Sequence, residues 1–214
     1  MAKVLVLSGT NHGFDKSAPI VHKALTRDGH GSTLSDDKAL LASPALRDYD
    51  VVVHGSGFTR REARADGSSA YLPVLSDAES DGLLAFVRSG KGLIGIHGTA
   101  WWIGGEHIRL IGGHANWHPP GLEFTVQIDD ATHPATKGLD PFTVQDEIYM
   151  SAWDPDIHVL ATAEWADKRH PMAWTNRYGD GRVFFTALGH GPSTFENPAM
   201  QRLLANAATW AATA

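Results

Sequence analysis

The sequence contains no cysteine. This absence excludes disulfides, metal sites built from thiolates and every mechanism that uses a cysteine nucleophile. Histidine, aspartate and glutamate are left as the side chains for metal ligation and for proton transfer near neutral pH. Any chemistry of this protein therefore rests on imidazole and carboxylate groups.

Long hydrophobic runs and strong positive charge are absent as well. No apolar run reaches the roughly 20 residues that span a bilayer, and Ser8 interrupts the apolar N-terminal stretch before a signal peptide is complete. We therefore expect a soluble, cytoplasmic protein without a membrane partner. The net charge is −6, and the only basic cluster is Arg60, Arg61 and Arg64. Nucleic acid is not an expected partner, because its phosphates require clustered lysine and arginine.

Histidine and tryptophan, in contrast, are abundant. The 214 residues include twelve histidines and seven tryptophans. Imidazole suits acid–base chemistry and metal binding, and indole faces suit stacking on sugars. The length, with 43% hydrophobic residues, predicts a single domain over residues 1–214.

The hydrophobic pattern predicts an α/β fold with parallel and antiparallel parts. Buried parallel strands are expected at Lys3–Leu7, Asp50–His54 and Leu93–Gly98. Helices are expected near Ile20–Leu25, over Asp77–Ser89 behind a Ser76/Glu79 capping box, and after Asn197. An antiparallel extension from about Glu123 to Thr175 is expected, with strand patterns at Glu123–Ile128, Ile157–Ala163 and Met172–Thr175. A hairpin turn at Tyr178–Gly181 should lead from there to a further strand at Arg182–Leu188. Gly55–Tyr71 has no periodicity and predicts an exposed loop.

The turn Gly95-Ile96-His97-Gly98 is the most informative point of the chain. A buried strand ends there between small residues that allow a sharp turn, and this layout exposes the residue at the tip above the sheet. The tip residue is His97. Imidazole at this place favours acid–base catalysis or metal binding.

In layout this turn resembles the nucleophile elbow of the class I glutamine amidotransferases, whose tip is a catalytic cysteine. Arg182–Leu188 followed by Gly189-His190 resembles the late strand that carries their histidine base. The resemblance implies a flavodoxin-like, three-layer α/β sandwich with a mostly parallel central sheet and an antiparallel extension. It also implies that His97 and His190 face one another across one pocket. Glutaminase activity is not expected, because imidazole cannot form the required thioester.

Nearly the whole chain is also similar to the trehalose-utilisation (ThuA-like) family of that superfamily. Several separated motifs occur in the family's order: Gly112-Gly113-His114, His118-Pro119, Thr132–Leu139, Asp146–Tyr149, Pro171–Thr175, Tyr178–Val183 and Ala187–His190. The resemblance implies a role in disaccharide catabolism on oxidised (3-keto) glycosides. A small sugar is then the expected partner molecule.

The candidate catalytic residues are His97, His190 and Glu147. Only one of the adjacent acids Asp146 and Glu147 should enter the pocket, because neighbouring residues of a strand point to opposite faces. The candidate substrate-binding residues are His12, His118, Trp101 and Tyr149; of Trp101 and Trp102, one is expected in the core and one at the pocket wall. The candidates for a divalent metal such as zinc are His97, His114, His118 and His190. His114 and His118 are four apart, but the flanking Gly112-Gly113 and Pro119-Pro120 argue against the helix that would align them.

Two functions stay open at the level of sequence. The first is a hydrolase or lyase, in which a base removes the proton next to a sugar ketone and the glycosidic oxygen is eliminated. The second is a sugar- or metabolite-binding module that keeps the fold without catalysis. The number of histidines at strand ends favours the enzyme. The substrate, the presence of a metal and the oligomeric state, a homo-oligomer included, stay open.

Overall fold

The chain alternates strands with helices in its first half and is rich in strands from Gly113 to Thr186. A computed structural model describes residues 1–213. The strands are β1 (Lys3–Leu7), β2 (Gly31–Ser35), β3 (Val51–His54), β4 (Thr59–Ala63), β5 (Ser69–Pro73), β6 (Gly92–Ile96), β7 (Gly113–Trp117), β8 (Leu122–Ile128), β9 (Phe142–Asp146), β10 (Met150–Trp153), β11 (His158–Trp165), β12 (Lys168–Tyr178) and β13 (Gly181–Thr186). The helices are α1 (Phe14–Arg27), α2 (Asp77–Arg88), α3 (Glu106–Ile111), α4 (Pro192–Glu196) and α5 (Pro198–Ala211). Short 3-10 turns lie at Asn11–Gly13, Lys38–Ala42, Pro44–Asp48 and His97–Ala100.

Nine of the strands form one sheet in the order β2-β1-β3-β6-β13-β12-β11-β8-β9. The first five run parallel to one another. Val4–Leu7 and Val51–Val53 are at most 1% exposed, because strands covered on both faces are apolar throughout. β6 lies between β3 and β13 and ends at Ile96, so that His97 is the first residue beyond it.

The remaining strands of the sheet are antiparallel and extend it from β13 to β9. This is the extension that the sequence predicts between about 123 and 175. The two residues Gly179-Asp180 join β12 to β13, which confirms the expected hairpin. β7 and β10 form a separate two-stranded ribbon beside the sheet.

Helices flank the sheet and complete the three-layer, flavodoxin-like sandwich. α1 packs against α5 and β1, α5 packs on β6 and β13, and α2 and α3 both contact β13. α2 begins with the expected capping box of Ser76 and Glu79, and α5 begins with Asn197 as its cap and Pro198 in its first turn. Among residues 1–213, no helix is long and apolar enough to cross a membrane.

The segment Gly55–Tyr71 corrects the sequence prediction of an exposed loop. It contains most of a β-hairpin in which β4 and β5 pair only with each other. Most of its side chains are exposed on both faces, so that the strands carry no alternation of polar and apolar residues. This is why the pattern predicts a loop. The elements β2, β7, α3 and α4 are likewise not predicted by the sequence, since each is short or largely polar.

Gly82 in the middle of α2 provides a test of this packing. Helix propensity alone predicts that alanine stabilises an inner helical position by about 1 kcal/mol over glycine. Here, however, a Cβ would lie 2.0 Å from the carbonyl oxygen of Leu41. We therefore expect Gly82→Ala to lower the free energy of unfolding, by about 1–3 kcal/mol, in chemical denaturation. Gly104→Ala, where a Cβ meets nothing within 4 Å, is the control and should leave stability nearly unchanged. A more stable Gly82→Ala protein would contradict the packing of α2 on Leu41.

Candidate active site

His97 lies at the carboxyl end of β6, as the sequence predicts. Its backbone φ is 41°, in the left-handed region that residues other than glycine rarely adopt. The residue is only 2% exposed, so the expectation of an exposed tip is wrong: the loops after β1 and β13 cover the ring. Its Nδ1 lies 2.8 Å from the carbonyl oxygen of Ala187, just after β13. Since a carbonyl only accepts hydrogen bonds, Nδ1 carries a proton. In the neutral ring Nε2 then has a lone pair.

Gly98 allows the loops after β1, β3 and β6 to meet beside this ring. A Cβ on Gly98 would lie 2.6 Å from Cδ2 of His12 and 2.8 Å from the carbonyl oxygen of Gly55. His12 is also left-handed, with a φ of 55°, and its ring centroid lies 5.9 Å from that of His97. The carboxyl ends of two parallel strands therefore present one imidazole each to the same place, where α/β sheets bind ligands.

Burial keeps both of these rings neutral at pH 7. It lowers the pKa of His12 to about 4, with a smaller contribution from His190. For His97, burial lowers the pKa well below its usual value; the Ala187 carbonyl opposes this shift and the neighbouring histidines reinforce it. Nε2 of His12 is buried and has no hydrogen-bond partner in the described chain. A buried polar atom of this kind is a natural contact for a ligand or a water.

Glu147 follows β9 and extends its carboxyl group between three histidines. Its Oε1 lies 3.0 Å from Nδ1 of His190 and 3.5 Å from Nδ1 of His118, and its Oε2 lies 3.5 Å from Nε2 of His97. Burial raises the pKa of Glu147, and His190 and His118 partly oppose the shift. Its carboxyl group therefore exchanges a proton closer to neutral pH than an ordinary glutamate does, as a general acid or base requires.

Tyr149 lies on the buried side of His97 and Glu147. Its hydroxyl lies 2.7 Å from Nε2 of His97 and donates to it, because Nε2 carries no proton when Nδ1 does. Burial raises the pKa of Tyr149 well above its usual value, and the nearby Glu147 adds to this. Trp101 packs edge-on against Tyr149, with ring centroids 5.2 Å apart, and is 9% exposed. Trp101 is thus the tryptophan of the core, and the partly exposed Trp102 lies nearer the surface.

Asp146 connects the segment after β9, which carries Glu147, to the segment after β13, which carries His190. Its Oδ1 accepts the backbone N–H groups of Glu147 and His190, at 2.8 and 3.2 Å. Its Oδ2 accepts the N–H of Gly189 at 2.8 Å and the hydroxyl of Thr194. Burial raises the pKa of Asp146, and these hydrogen bonds oppose the shift. Of the two adjacent acids only Glu147 faces the histidines, as expected, while Asp146 positions the backbone.

The structure brings most of the candidate residues into one cluster, which consists of His12, His97, His118, Glu147, Tyr149 and His190. The ring centroids of His97 and His190 are 5.4 Å apart, in agreement with the expected pairing. The side chains of His190 and His118 are 63% and 32% exposed, so the cluster is accessible from their side. His114 lies outside the cluster, on β7 opposite Ala152. Because β7 is extended, His114 and His118 do not share a helical face.

Sequence reasoning missed the role of Asp146, although a signal for it existed. Phe142, Val144 and Asp146 alternate with exposed residues along β9, so the period of two places the aspartate on the buried face. A buried carboxylate at such a position requires several donors, and these are the N–H groups that follow β9 and β13. The hydrogen bond from His97 to the Ala187 carbonyl cannot be predicted from the sequence, because every residue has the same backbone oxygen.

Comparison with known proteins shows the family of the chain and agrees with its fold. The profile of a family described as "Trehalose utilisation" (ThuA) matches residues 3–211. The chain belongs to the ThuA family. A ThuA-like protein from Parabacteroides merdae has 21% identity and a TM-score of 0.75, over 99% of this chain and 90% of its own. One from Bacteroides uniformis has 20% identity and a TM-score of 0.75, over 98% and 90%. A cytoplasmic protein of Salmonella typhimurium has 11% identity and a TM-score of 0.71, over 99% of both chains. No curated protein matches the sequence.

The cluster of this ThuA chain contains a donor set suited to a divalent metal. Ligand atoms of His97, Glu147 and His190 lie within 4.8 Å of one another. Two imidazoles and a carboxylate are a set that zinc accepts. The hydrogen bond from Nδ1 of His97 to a backbone carbonyl is the support that metal-bound histidines usually have. The same three groups also suit proton transfer without a metal.

A cavity of about 750 Å³ lies at the opposite end of the parallel strands from the cluster, lined among others by Arg88, Tyr178 and Trp210. None of the cluster residues lines it. Tyr178 pairs with Gly181 at the beginning of β13, so this cavity lies at the amino ends of the parallel strands. Catalytic groups of α/β sheets lie at the carboxyl ends. The candidate active site is therefore the cluster at the carboxyl ends, which reaches the surface at the His190 side chain.

The buried neutral histidines predict a loss of stability in acid. In the unfolded chain, histidine binds a proton below about pH 6.5, whereas folded His12 does so only at about pH 4 and folded His97 well below 6.5. Their stabilising contribution is thus complete above pH 6.5 and is lost as the pH falls, by up to about 1.4 kcal/mol per unit for each ring. Asp146 and Glu147 act in the opposite direction, because burial raises their pKa values.

We expect the free energy of unfolding to fall between pH 7 and pH 5, measured by urea denaturation with a chelator present. His97→Gln should make this slope shallower by about one proton. The control His158→Gln, whose side chain is 54% exposed in the native chain, should keep the wild-type slope. An unchanged slope in His97→Gln would show that His97 binds its proton at the same pH in the native and in the unfolded chain.

Proposed function

We propose that this ThuA-family protein is an enzyme of carbohydrate catabolism that cleaves oxidised (3-keto) glycosides or disaccharides, as a hydrolase or a lyase. Membership in the trehalose-utilisation family supports carbohydrate metabolism in general. The specific reaction rests on the site. Its main support is the convergence of Glu147 with His97, His190 and His118 within 3.5 Å. Burial keeps His12 and His97 neutral and raises the pKa of Glu147 in this cluster.

The proposed reaction begins with a proton transfer to Glu147. The ketone of the substrate acidifies the neighbouring C–H bond; Glu147 takes this proton, and the electron pair forms a carbon–carbon double bond. The bond to the glycosidic oxygen breaks, and that oxygen takes the Nε2 proton of His190, which begins as an imidazolium and ends neutral; its Nδ1 lies 3.0 Å from Oε1 of Glu147. In a hydrolase water then adds to the double bond, whereas a lyase releases the unsaturated sugar. Positioned acid–base pairs typically contribute about 10²–10⁴-fold to such rates.

His97 and Tyr149 form the opposite side of the site in this proposal. The hydroxyl of Tyr149, held 2.7 Å from Nε2 of His97, turns its one proton from that nitrogen to the ketone oxygen when negative charge develops there. His12 lies beside His97 and His118 beside Glu147, and both are assigned to sugar hydroxyls. If a metal such as zinc is bound by His97, Glu147 and His190, it supplies Lewis-acid stabilisation of the same oxygen.

One observation favours the second function, a binding module without catalysis. The Tyr149 hydroxyl already engages Nε2 of His97, and the His97 ring is 2% exposed. A ring that only supports the fold would be placed in this way. The two functions differ in whether substitutions of the cluster abolish turnover or affect only binding.

Turnover of a 3-keto disaccharide tests the catalytic assignment. His97 is buried, so that alanine would leave a hole and an unpaired Ala187 carbonyl; His97→Gln is the gentler change. We expect His97→Gln and His190→Gln each to lower kcat by about 10²–10⁴-fold, and the double variant to be scarcely worse, because parts of one assembly are not additive. His190→Gln should keep the wild-type melting temperature, since its side chain is largely exposed.

His158→Gln serves as the control and should retain full activity, because His158 lies on β11, outside the cluster. Full turnover by folded His97→Gln and His190→Gln proteins would reject the enzyme and leave the binding module. Additive losses would instead assign the two rings to separate tasks.

Metal analysis of the purified protein decides between the two forms of the reaction. One equivalent of zinc that is lost in Glu147→Gln, with activity that chelator removes, would assign the cluster to metal-assisted chemistry. Activity that persists in metal-free protein would assign it to acid–base chemistry alone.

A further inference from the structure

We propose that Trp102 and Tyr71 form a second sugar subsite, which binds the ring on the far side of the bond to be cleaved. This inference rests on the proposed function, because it presumes that a sugar occupies the cluster at His97. It adds the substrate class: a disaccharide or larger glycoside with an uncharged second ring, rather than a single sugar.

Trp102 is held at the edge of the site in a strained conformation. Its backbone φ is 48°, which is rare for a bulky residue and persists only where the surroundings impose it. The Thr59 hydroxyl of β4 contacts this turn, since it lies within hydrogen-bond distance of the carbonyl oxygens of both Trp101 and Trp102. Strain of this kind is typical of residues placed for a ligand rather than for packing.

The β4–β5 hairpin supplies the other ring. Tyr71 lies on β5 with 50% of its surface exposed, and its ring centroid is 5.0 Å from that of Trp102 at an angle of 35°. An isolated two-stranded hairpin is only marginally stable in water. This one is anchored at its base, where the N–H of Val74 donates to the carbonyl of Phe58 and Asn11 donates to the carbonyl of Thr59.

The two rings continue a line of flat side chains that begins at the catalytic histidine. The His12 ring lies 5.9 Å from His97 and 6.1 Å from Trp102, with an angle of 34° to the latter. Tyr71 then follows at the surface. Aromatic faces are apolar with a negative potential, and they pack well against the C–H face of a pyranose. A sugar bound at His97 therefore has an aromatic platform for its neighbour on the side of His12.

Equilibrium binding separates this subsite from the catalytic cluster. Calorimetry with His190→Gln protein, in which turnover is expected to be slow, compares trehalose and 3-keto-trehalose with methyl α-glucoside and its 3-keto form. We expect Tyr71→Ala in this background to raise the Kd of the two-ring ligands by about 5-fold or more. The Kd of the one-ring ligands should stay the same. Tyr71→Phe keeps the ring face and should restore two-ring binding.

Trp153→Ala is the matched control, because Trp153 is an exposed aromatic residue, 44% accessible, on the separate β7–β10 ribbon; it should change neither Kd. Equal weakening of one-ring and two-ring ligands by Tyr71→Ala, or no weakening at all, would overturn the subsite. So would the absence of binding by any of the four sugars to the His190→Gln and wild-type proteins. Selective two-ring binding without any turnover by the wild type would reject the proposed function but support the subsite.

Discussion

The His97 ring is fixed at both nitrogens, and the rest of the site depends on this constraint. Nδ1 donates to the Ala187 carbonyl at 2.8 Å, and Nε2 accepts from Tyr149 at 2.7 Å. The buried surroundings, rather than a charged partner, exclude the second proton. Because the ring stays neutral, Nε2 keeps a lone pair, which accepts from Tyr149 here and becomes available to a proton or a metal only when that hydroxyl turns away. Glu147 lies beside it without a permanent ion pair. In a chain without cysteine, Nε2 of His97 is therefore the nucleophilic atom at this turn.

The second half of the site depends on the curvature of the sheet. Between β6 and β9 lie four strands, so that in a flat sheet these two strands would be roughly 24 Å apart. Glu147, directly after β9, nevertheless lies 3.5 Å from His97. The antiparallel extension must therefore curl back over the carboxyl end of the parallel half, as strongly twisted sheets do. Asp146 at the end of β9 holds the extension in this position, since its carboxylate accepts hydrogen bonds from the N–H groups of Gly189 and His190 after β13.

The sequence predicts the elements that short local patterns determine. It misses the contacts that form only when the antiparallel extension folds back over the parallel half. The buried strand before His97, the capping box of α2 and the Asn197 cap of α5 are visible because short patterns determine them. The proximity of His97 and His190 follows from a family resemblance and from parallel strand ends. The Glu147 contacts, the four-donor support of Asp146 and the meeting of Tyr71 with Trp102 join segments far apart in the chain, and no local pattern encodes such contacts. The sequence does not predict the polar hairpin of β4 and β5 for another reason: neither face of the hairpin is buried, so its strands show no alternation of polar and apolar residues.

Nitrogen-15 NMR of the imidazole groups tests the central claim, which is that His97 is neutral with its proton on Nδ1. The account predicts a protonated Nδ1 and an unprotonated Nε2 for His97 at pH 7, unchanged down to pH 5.5 in metal-free protein. Tyr149→Phe, which removes the hydrogen bond to Nε2, should shift the signal of that nitrogen alone. A His97 ring with its proton on Nε2, or a doubly protonated ring at pH 6, would contradict the account.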